Sequence, residues 1–390
     1  MNNPDATLST SQARHMAELS VNWRYWYKNI HWWAIIVMII VPIGGIYQSP
    51  QTPVHLKTAV FAIGFGFTSG FSITAGYHRL WSHRSYRATT PLRVLLALLG
   101  ASTAQGTIRD PYSARRGLWY SHMGWLVFRV DPSIYQDVDM ADLNTDPVVL
   151  WQHRYYGGIM LATGFFFPTV VCGLGWSDWK GGFVFAGIMR MFAVNQITFC
   201  VNSLAHWLGE QTFDDRNTPR DHVLTAIITL GEGYHNYHHE FPTDYRNGAR
   251  WWQYDPTKWL IWLWAQMGLA YDLQRFSSQD ADKCRLQQAQ KNLDEKKSHF
   301  DWGVLLEDLP LMTWDEYVRQ ASDEKHALVV IAGVVHDVSR FIAKHPGGRR
   351  MLEDAIGKDA TTMFTRGVHL HSRLAHNRLA ALRVGILQES

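Results

Sequence analysis

Six histidines fall in three short clusters: His78-Arg-Leu-Trp-Ser-His83, Asn202-Ser-Leu-Ala-His206 and His235-Asn-Tyr-His238-His239. Neutral imidazoles suit iron, zinc, copper or nickel. The three cysteines, Cys172, Cys200 and Cys284, lie far apart and form no CxxC pair. That argues against a thiolate zinc site and a disulfide framework, and fits a reducing compartment. If the last cluster is helical, His235, His238 and His239 share one face, because i, i+3 and i+4 residues are neighbours. A lone histidine is an ordinary surface residue. Three clusters brought to one side of a membrane point to a metal centre.

A second constellation lies near the C-terminus. His345-Pro-Gly-Gly348 follows the alternating, β-rich run Val329–Val338. The Pro-Gly-Gly turn can lift an imidazole toward a cofactor, since Gly permits φ > 0. His371 follows within Leu370-His-Ser, with His369 and His376 as rival second ligands. Two axial imidazoles make a haem suited to electron transfer, with no open position for O2.

These clusters need elements to position them. The chain has 390 residues, 47% hydrophobic and 13% aromatic, but only 18% charged, below the roughly 25% of soluble chains. A net charge of +3 is too small to argue for a nucleic-acid partner. Four apolar runs, at about residues 30–49, 58–76, 155–175 and 181–204, approach the roughly 20 residues that a helical span needs. Arg190 interrupts the fourth. Leu92–Ala101 is too short to cross and reads as an interfacial or buried helix.

Arg79, Arg84, Arg87, Arg93, Arg109, Arg115, Arg116, Arg129 and Arg154 lie between spans two and three, whereas the other short loops hold only Lys57 and Lys180. The positive-inside rule puts the Arg-rich segment, both termini and all three histidine clusters on the cytosolic side. Met1–Leu19 has no signal-peptide pattern. The expected organisation is a polar segment (1–29), a membrane domain (30–275), a helical linker (276–300) and a soluble domain (301–390).

The segments GYHRLWSH, RDPYSARRGLWYSHMGW, VNSLAH and GEGYHNYHHEFPTDYRNG resemble the membrane acyl-CoA desaturases. The likeness is greatest to the fungal Δ9, or stearoyl-CoA, type with a fused C-terminal cytochrome b5 domain. HDVSRFIAKHPGG followed by a spaced His-Ser is similar to cytochrome b5. The resemblance implies a mainly α fold: a four-span helical core with a cytosolic helical cap, plus a small α+β haem-binding domain. It implies an endoplasmic-reticulum enzyme of unsaturated fatty acid biosynthesis that uses O2 to place a cis double bond in stearoyl- or palmitoyl-CoA. The implied cofactors are two non-haem Fe2+ ions and haem b. The implied electron donor is an NADH-cytochrome b5 reductase. By motif, His78, His83, His206, His235, His238 and His239 match iron ligands, Asn202 a water-mediated one, His345 and His371 the haem axial ligands, and Arg129 a residue near the CoA phosphates.

One departure is clear. The family carries a middle HRxHH box before the DPxxARRG segment, and this chain has no His between His83 and His122. His122 also occurs in family members that keep the box, so it is no substitute. The remaining six imidazoles and Asn202 are expected to hold one ion rather than two. Two rival readings stay open: a catalytically impaired membrane haem protein or electron carrier, and a membrane di-iron hydroxylase.

Overall fold

The computed structural model describes residues 30–104, 117–127, 140–323, 325–367 and 370–388. The chain divides into two compact units, Met1–Gln290 and Lys291–Ser390. Arg129 and His369 lie outside the described residues.

The first unit is built on four long apolar helices, Trp32–Gln51, Leu56–Ser82, Pro147–Trp176 and Trp179–Trp207. Each is long enough to span a hydrocarbon core of about 30 Å at 1.5 Å per residue. All four overlap the expected runs, and the second and third extend well past them. Their outward faces carry exposed Ile, Leu, Phe and Val, the pattern of a surface solvated by lipid. Thr90–Ala101 is the short apolar helix; it buries Leu92, Leu96, Ala97 and Gly100 and leaves Leu95 exposed.

Arg190, which interrupts the fourth span, is 4% exposed. Its five N–H groups reach neutral acceptors: Ala186 O, Ser69 Oγ, Ser102 Oγ, Ser102 O and Gly164 O. The Phe65 ring centroid lies 4.4 Å from its Cζ. Complete donor satisfaction is what makes a buried cation tolerable there. Four of the arginines counted as cytosolic charge are ion-paired: Arg79 is buried with Glu232 and Asp255, Arg93 pairs with Asp146, and Arg84 and Arg87 make exposed pairs with Asp142 and Asp272.

After the fourth span come three short helices, Val223–Ile228, His235–Glu240 and Pro256–Gln266. A two-residue antiparallel pairing joins Arg87–Ala88 to Ala270–Tyr271. A core of Tyr77, Leu80, Trp81, Tyr86, Leu92 and Leu96 packs against Tyr245 and Ile261, tying the end of the second span to the polar, aromatic segment. Ser278–Ser298 is a helix without an apolar stripe, as its Gln, Lys and Asp content implies.

The second unit holds a four-stranded sheet in the order Leu311–Met312, Arg383–Leu387, Val334–Asp337, Leu328–Ile331; the first pairing is parallel and the others antiparallel. The β-rich run is thus two strands of a hairpin. Ala332 and Gly333 turn it with φ of 51° and 76°, the two positive values of a type I′ turn. Thr313 and Glu316 form a reciprocal capping box that starts the helix Trp314–Ala321. Short helices at Arg349–Glu353, Thr361–Arg366 and Arg373–Ala380 pack Leu352, Phe364 and Leu379 against Val329, Ile331 and Val338.

Candidate metal and cofactor sites

His78 and His83 are five residues apart. On a regular α-helix that spacing rotates side chains by about 140° relative to each other. The second span avoids this by ending in a π-helical stretch, Ser72–Ser82, in which the His83 N–H donates to the His78 carbonyl at 3.0 Å. The wider turn puts both rings on one side, their centroids 4.6 Å apart. His238 closes the group, with centroids 4.6 Å and 4.5 Å from those two. Its Nε2 lies 3.1 Å from His83 Nε2.

His206, His235 and His239 form a second group. His235 Nε2 is 3.1 Å from Nε2 of both His206 and His239. Within each trio the candidate ligand nitrogens all lie within 4.8 Å of one another. The six imidazoles therefore do not surround one ion, as expected from their number; they divide three and three. His235, His238 and His239 share one helix face, with rings 4.5–5.8 Å apart, but divide between the two trios. At about 100° per residue, His238 projects to one side of His235 and His239 to the other. The short helix thereby serves both trios, whose nearest rings are 5.7–5.8 Å apart.

A six-residue helix is not stable alone. His235–Glu240 is held by Asp221, whose Oδ1 accepts the N–H groups of Asn236 (2.9 Å) and Tyr237 (3.1 Å). Burial lifts the Asp221 carboxyl to about 7, against those two bonds. Tyr237 donates its hydroxyl to Asp244, and Asn236 accepts from Phe213 N. Behind the first trio, Arg79 donates to Glu232 and Asp255 and to the Tyr245 carbonyl. Asp255 also accepts from the backbone of Asn247, Gly248 and Lys258. Gly231, at φ 104°, brings its backbone against Asp255, where a Cβ would approach Asp255 Cα to 2.8 Å. The adjacent Glu232 can then set Oε2 3.4 Å from His78 Nε2.

The electrostatics keep these rings neutral. Burial, followed by the neighbouring imidazoles, pushes His83 down to about 2 and holds His235 and His238 well below the usual histidine range; burial alone takes His239 to about 4. Neutral imidazole is the metal-binding form. His235 Nδ1 and His238 Nδ1 are buried without a hydrogen-bond partner. The close pairs, His83–His238, His206–His235 and His235–His239, each with Nε2 atoms 3.1 Å apart, match the edge length expected for ligands about 2.1 Å from one ion at right angles. His206 has its other nitrogen, Nδ1, 2.8 Å from Thr218 Oγ1, which fixes the ring. The residues present thus fit one cation per trio.

Asn202 is buried one turn before His206 and borders the same cavity as five of the six imidazoles. His122 contributes to neither trio: Nδ1 lies 2.8 Å from Ser203 Oγ and Nε2 3.0 Å from Gln196 Oε1. The shared cavity has a volume of about 1070 Å³. From the histidines it runs between the second and fourth helices, past Gly70, Gly66 and Ala62 on one side and Val194, Ala193 and Phe185 on the other.

In the second unit, His345 and His371 line one cavity of about 580 Å³ with Val329, Ile331, Phe341, Leu352, Phe364 and Leu379. His345 Nδ1 lies 3.0 Å from the Gly348 carbonyl and His371 Nδ1 2.8 Å from the Phe364 carbonyl. Each carbonyl draws the ring proton to Nδ1 and leaves Nε2 as the basic nitrogen. His371 also stacks on Phe364 at 4.2 Å. His376 is not among the lining residues. An apolar slot between two so oriented imidazoles fits a planar, bis-imidazole haem.

Sequence reasoning missed the π-helical ending, Thr218, and the carboxylates Glu232, Asp255 and Asp221. The GEGY segment carries a hint, since Gly before an acidic residue allows a close backbone approach.

Residues 31–275 match the family model of the fatty acid desaturases, and residues 313–388 that of the cytochrome b5-like heme/steroid binding domain. The chain is 46% identical to acyl-CoA desaturase 1 of Saccharomyces cerevisiae, over 96% of this chain and 77% of that protein. It is 42% identical to a probable acyl-CoA desaturase of Schizosaccharomyces pombe, over 99% and 83%. Human stearoyl-CoA desaturase is 35% identical over 63% of this chain and 75% of its own length.

Proposed function

The chain belongs to the fatty acid desaturase family and carries a cytochrome b5-like domain, and from that premise we propose that it is an acyl-CoA 9-desaturase of unsaturated fatty acid biosynthesis. Residues 30–275 form the desaturase domain, 276–300 the linker and 301–390 the haem domain. The observation that carries the reading is the pairing of two imidazole trios with a long apolar cavity that opens onto them.

His78, His83 and His238 would hold one iron, and His206, His235 and His239 the other, with Asn202 beside them through water. When bound, the two irons would supply O2 activation and hydrogen abstraction from an unactivated methylene pair. The apolar walls along Gly66, Phe67, Val194 and Ile197 bind the acyl chain and exclude water from the reacting carbons. Glu232 and Arg79 brace the first trio from behind, and Thr218 orients His206 in the second. Arg129 is assigned to the CoA phosphates by motif alone. The cis double bond forms in stearoyl- or palmitoyl-CoA.

His345 and His371 would hold haem b, which supplies electrons one at a time from an NADH-cytochrome b5 reductase. Four apolar helices support a multi-pass location in the endoplasmic reticulum membrane with both termini cytosolic. The test is expression in a desaturase-deficient host with gas chromatography of fatty esters. Palmitoleate and oleate are the expected products; a hydroxylated chain would favour the hydroxylase reading, and no product the inactive haem protein.

A further inference from the structure

Among the residues lining the haem cavity, the two carrying a fixed charge are both cations, Lys344 and Arg378. Among the described residues no acidic side chain lines it. Haem b carries two carboxylates, and a carboxylate at an apolar slot is costly unless paired or solvated. The two cations come from opposite sides of the cavity in sequence: Lys344 precedes His345, and Arg378 lies on the helix Arg373–Ala380 that follows His371.

Arg378 also packs on an aromatic ring that meets His345. Its Cζ lies 5.8 Å from the centroid of Phe341. Phe341 in turn meets His345 edge to face at 5.8 Å, so the guanidinium sits on the wall that carries one axial imidazole. Among the described residues neither cation has a carboxylate partner; Arg349 and Arg350 nearby are paired with Glu353 and Asp354. Guanidinium forms bidentate bonds with carboxylate and stays charged at every working pH.

We propose that Arg378, assisted by Lys344, binds the haem carboxylates and raises the reduction potential of the haem. The physical reason is charge balance. Taking up one electron makes the haem more negative, so a cation held at its edge favours the reduced form over the oxidised one. Both side chains are exposed, so salt screens the effect; Lys344, a point charge without the guanidinium's bidentate fork, contributes less than Arg378. The proposal rests on the haem reading of His345 and His371, and the experiment separates the two.

The full chain is purified in detergent and its haem is titrated spectroelectrochemically, alongside Arg378→Gln, Arg378→Lys, Arg378→Glu and Lys344→Gln. Haem transfer to excess apomyoglobin is timed for each. Expected is a more negative midpoint for Arg378→Gln and a further shift for Arg378→Glu. Arg378→Lys should recover most of the shift, and Lys344→Gln should move the midpoint least. Haem loss should quicken several-fold in Arg378→Gln. Reconstitution with haem dimethyl ester, which has no free carboxylate, should erase the difference between wild type and Arg378→Gln. An intact bis-imidazole spectrum with unchanged potential and haem loss in Arg378→Glu would overturn the proposal. A shift that persists with the ester would overturn carboxylate binding. Absence of a bis-imidazole spectrum from the wild-type chain would overturn the haem reading and the proposal with it.

Discussion

The two cofactor regions are built on opposite plans. The haem cavity takes both axial candidates, His345 and His371, from one stretch of chain, and each ring is oriented by a nearby carbonyl. Its walls are mostly apolar, with Lys344 and Arg378 as the fixed charges among the described lining residues. The histidine trios collect side chains from the second span, the fourth span and the helix His235–Glu240, and buried ions brace the first trio. A site made locally can be read from a motif and damaged locally. A site made from distant segments depends on everything that holds those segments in register.

The largest expected effects separate the regions outright. His345→Ala or His371→Ala should abolish the low-spin haem spectrum and leave non-haem iron unchanged, measured by difference spectra and metal analysis on the same sample. Loss of both together would mean the regions are not independent. On the other side, inserting a family-like HRxHH segment after Ile108 should raise oleate formation at least about tenfold over the chain as written, because each trio then gains imidazoles. Gas chromatography in a desaturase-deficient host checks it, and equal product from both chains would show that three imidazoles per ion suffice.

The next effect concerns the brace behind the first trio. Arg79→Met leaves Glu232 and Asp255 buried without their cation, a change of about 3–5 kcal/mol. The thermal midpoint of the first unit should drop, while the haem band melts where it did before. An unchanged midpoint would show that the ion cluster is not structural. Thr218→Val removes only the partner of His206 Nδ1 and should weaken metal binding at the second trio by about tenfold. Metal competition with a chelator would show it, and wild-type retention would remove Thr218 from the account.

The smallest effect lies in the haem unit. His336 is 2% exposed, and burial lowers its pKa to about 4. A histidine depressed in the folded state takes up its proton more readily when unfolded, so its contribution is complete above about 6.5 and is lost as pH falls toward 4. Between pH 7 and 4.5 the wild-type unit should lose about 2 kcal/mol more than His336→Phe. Parallel pH dependence of the two melts would contradict the burial argument.

The sequence carried the four spans because a length of apolar residues is a one-dimensional signal. His345 and His371, which line one cavity, stand out as a candidate pair because their framework is continuous. The six iron candidates were visible as residue types, but their partition was not. His238 parts from His235 and His239 only because the second and fourth spans flank the short helix. The HxxxxH spacing works only through the π-type bond from His83 to His78, which no residue type announces. Arg79 counts in the sequence only as one more cytosolic charge; it is 1% exposed, since its partners Glu232 and Asp255 arrive from far along the chain.

The division of six imidazoles into two trios is the central claim, and the ratio of non-haem iron to haem tests it most directly. The purified full chain is loaded with Fe2+ under anaerobic conditions, desalted and assayed beside His83→Ala and His206→Ala. The account predicts about two non-haem irons per haem in the wild type and about one in each variant, with the haem spectrum unaltered throughout. One iron in the wild type, or loss of all non-haem iron in either variant, would mean that the six histidines form a single site.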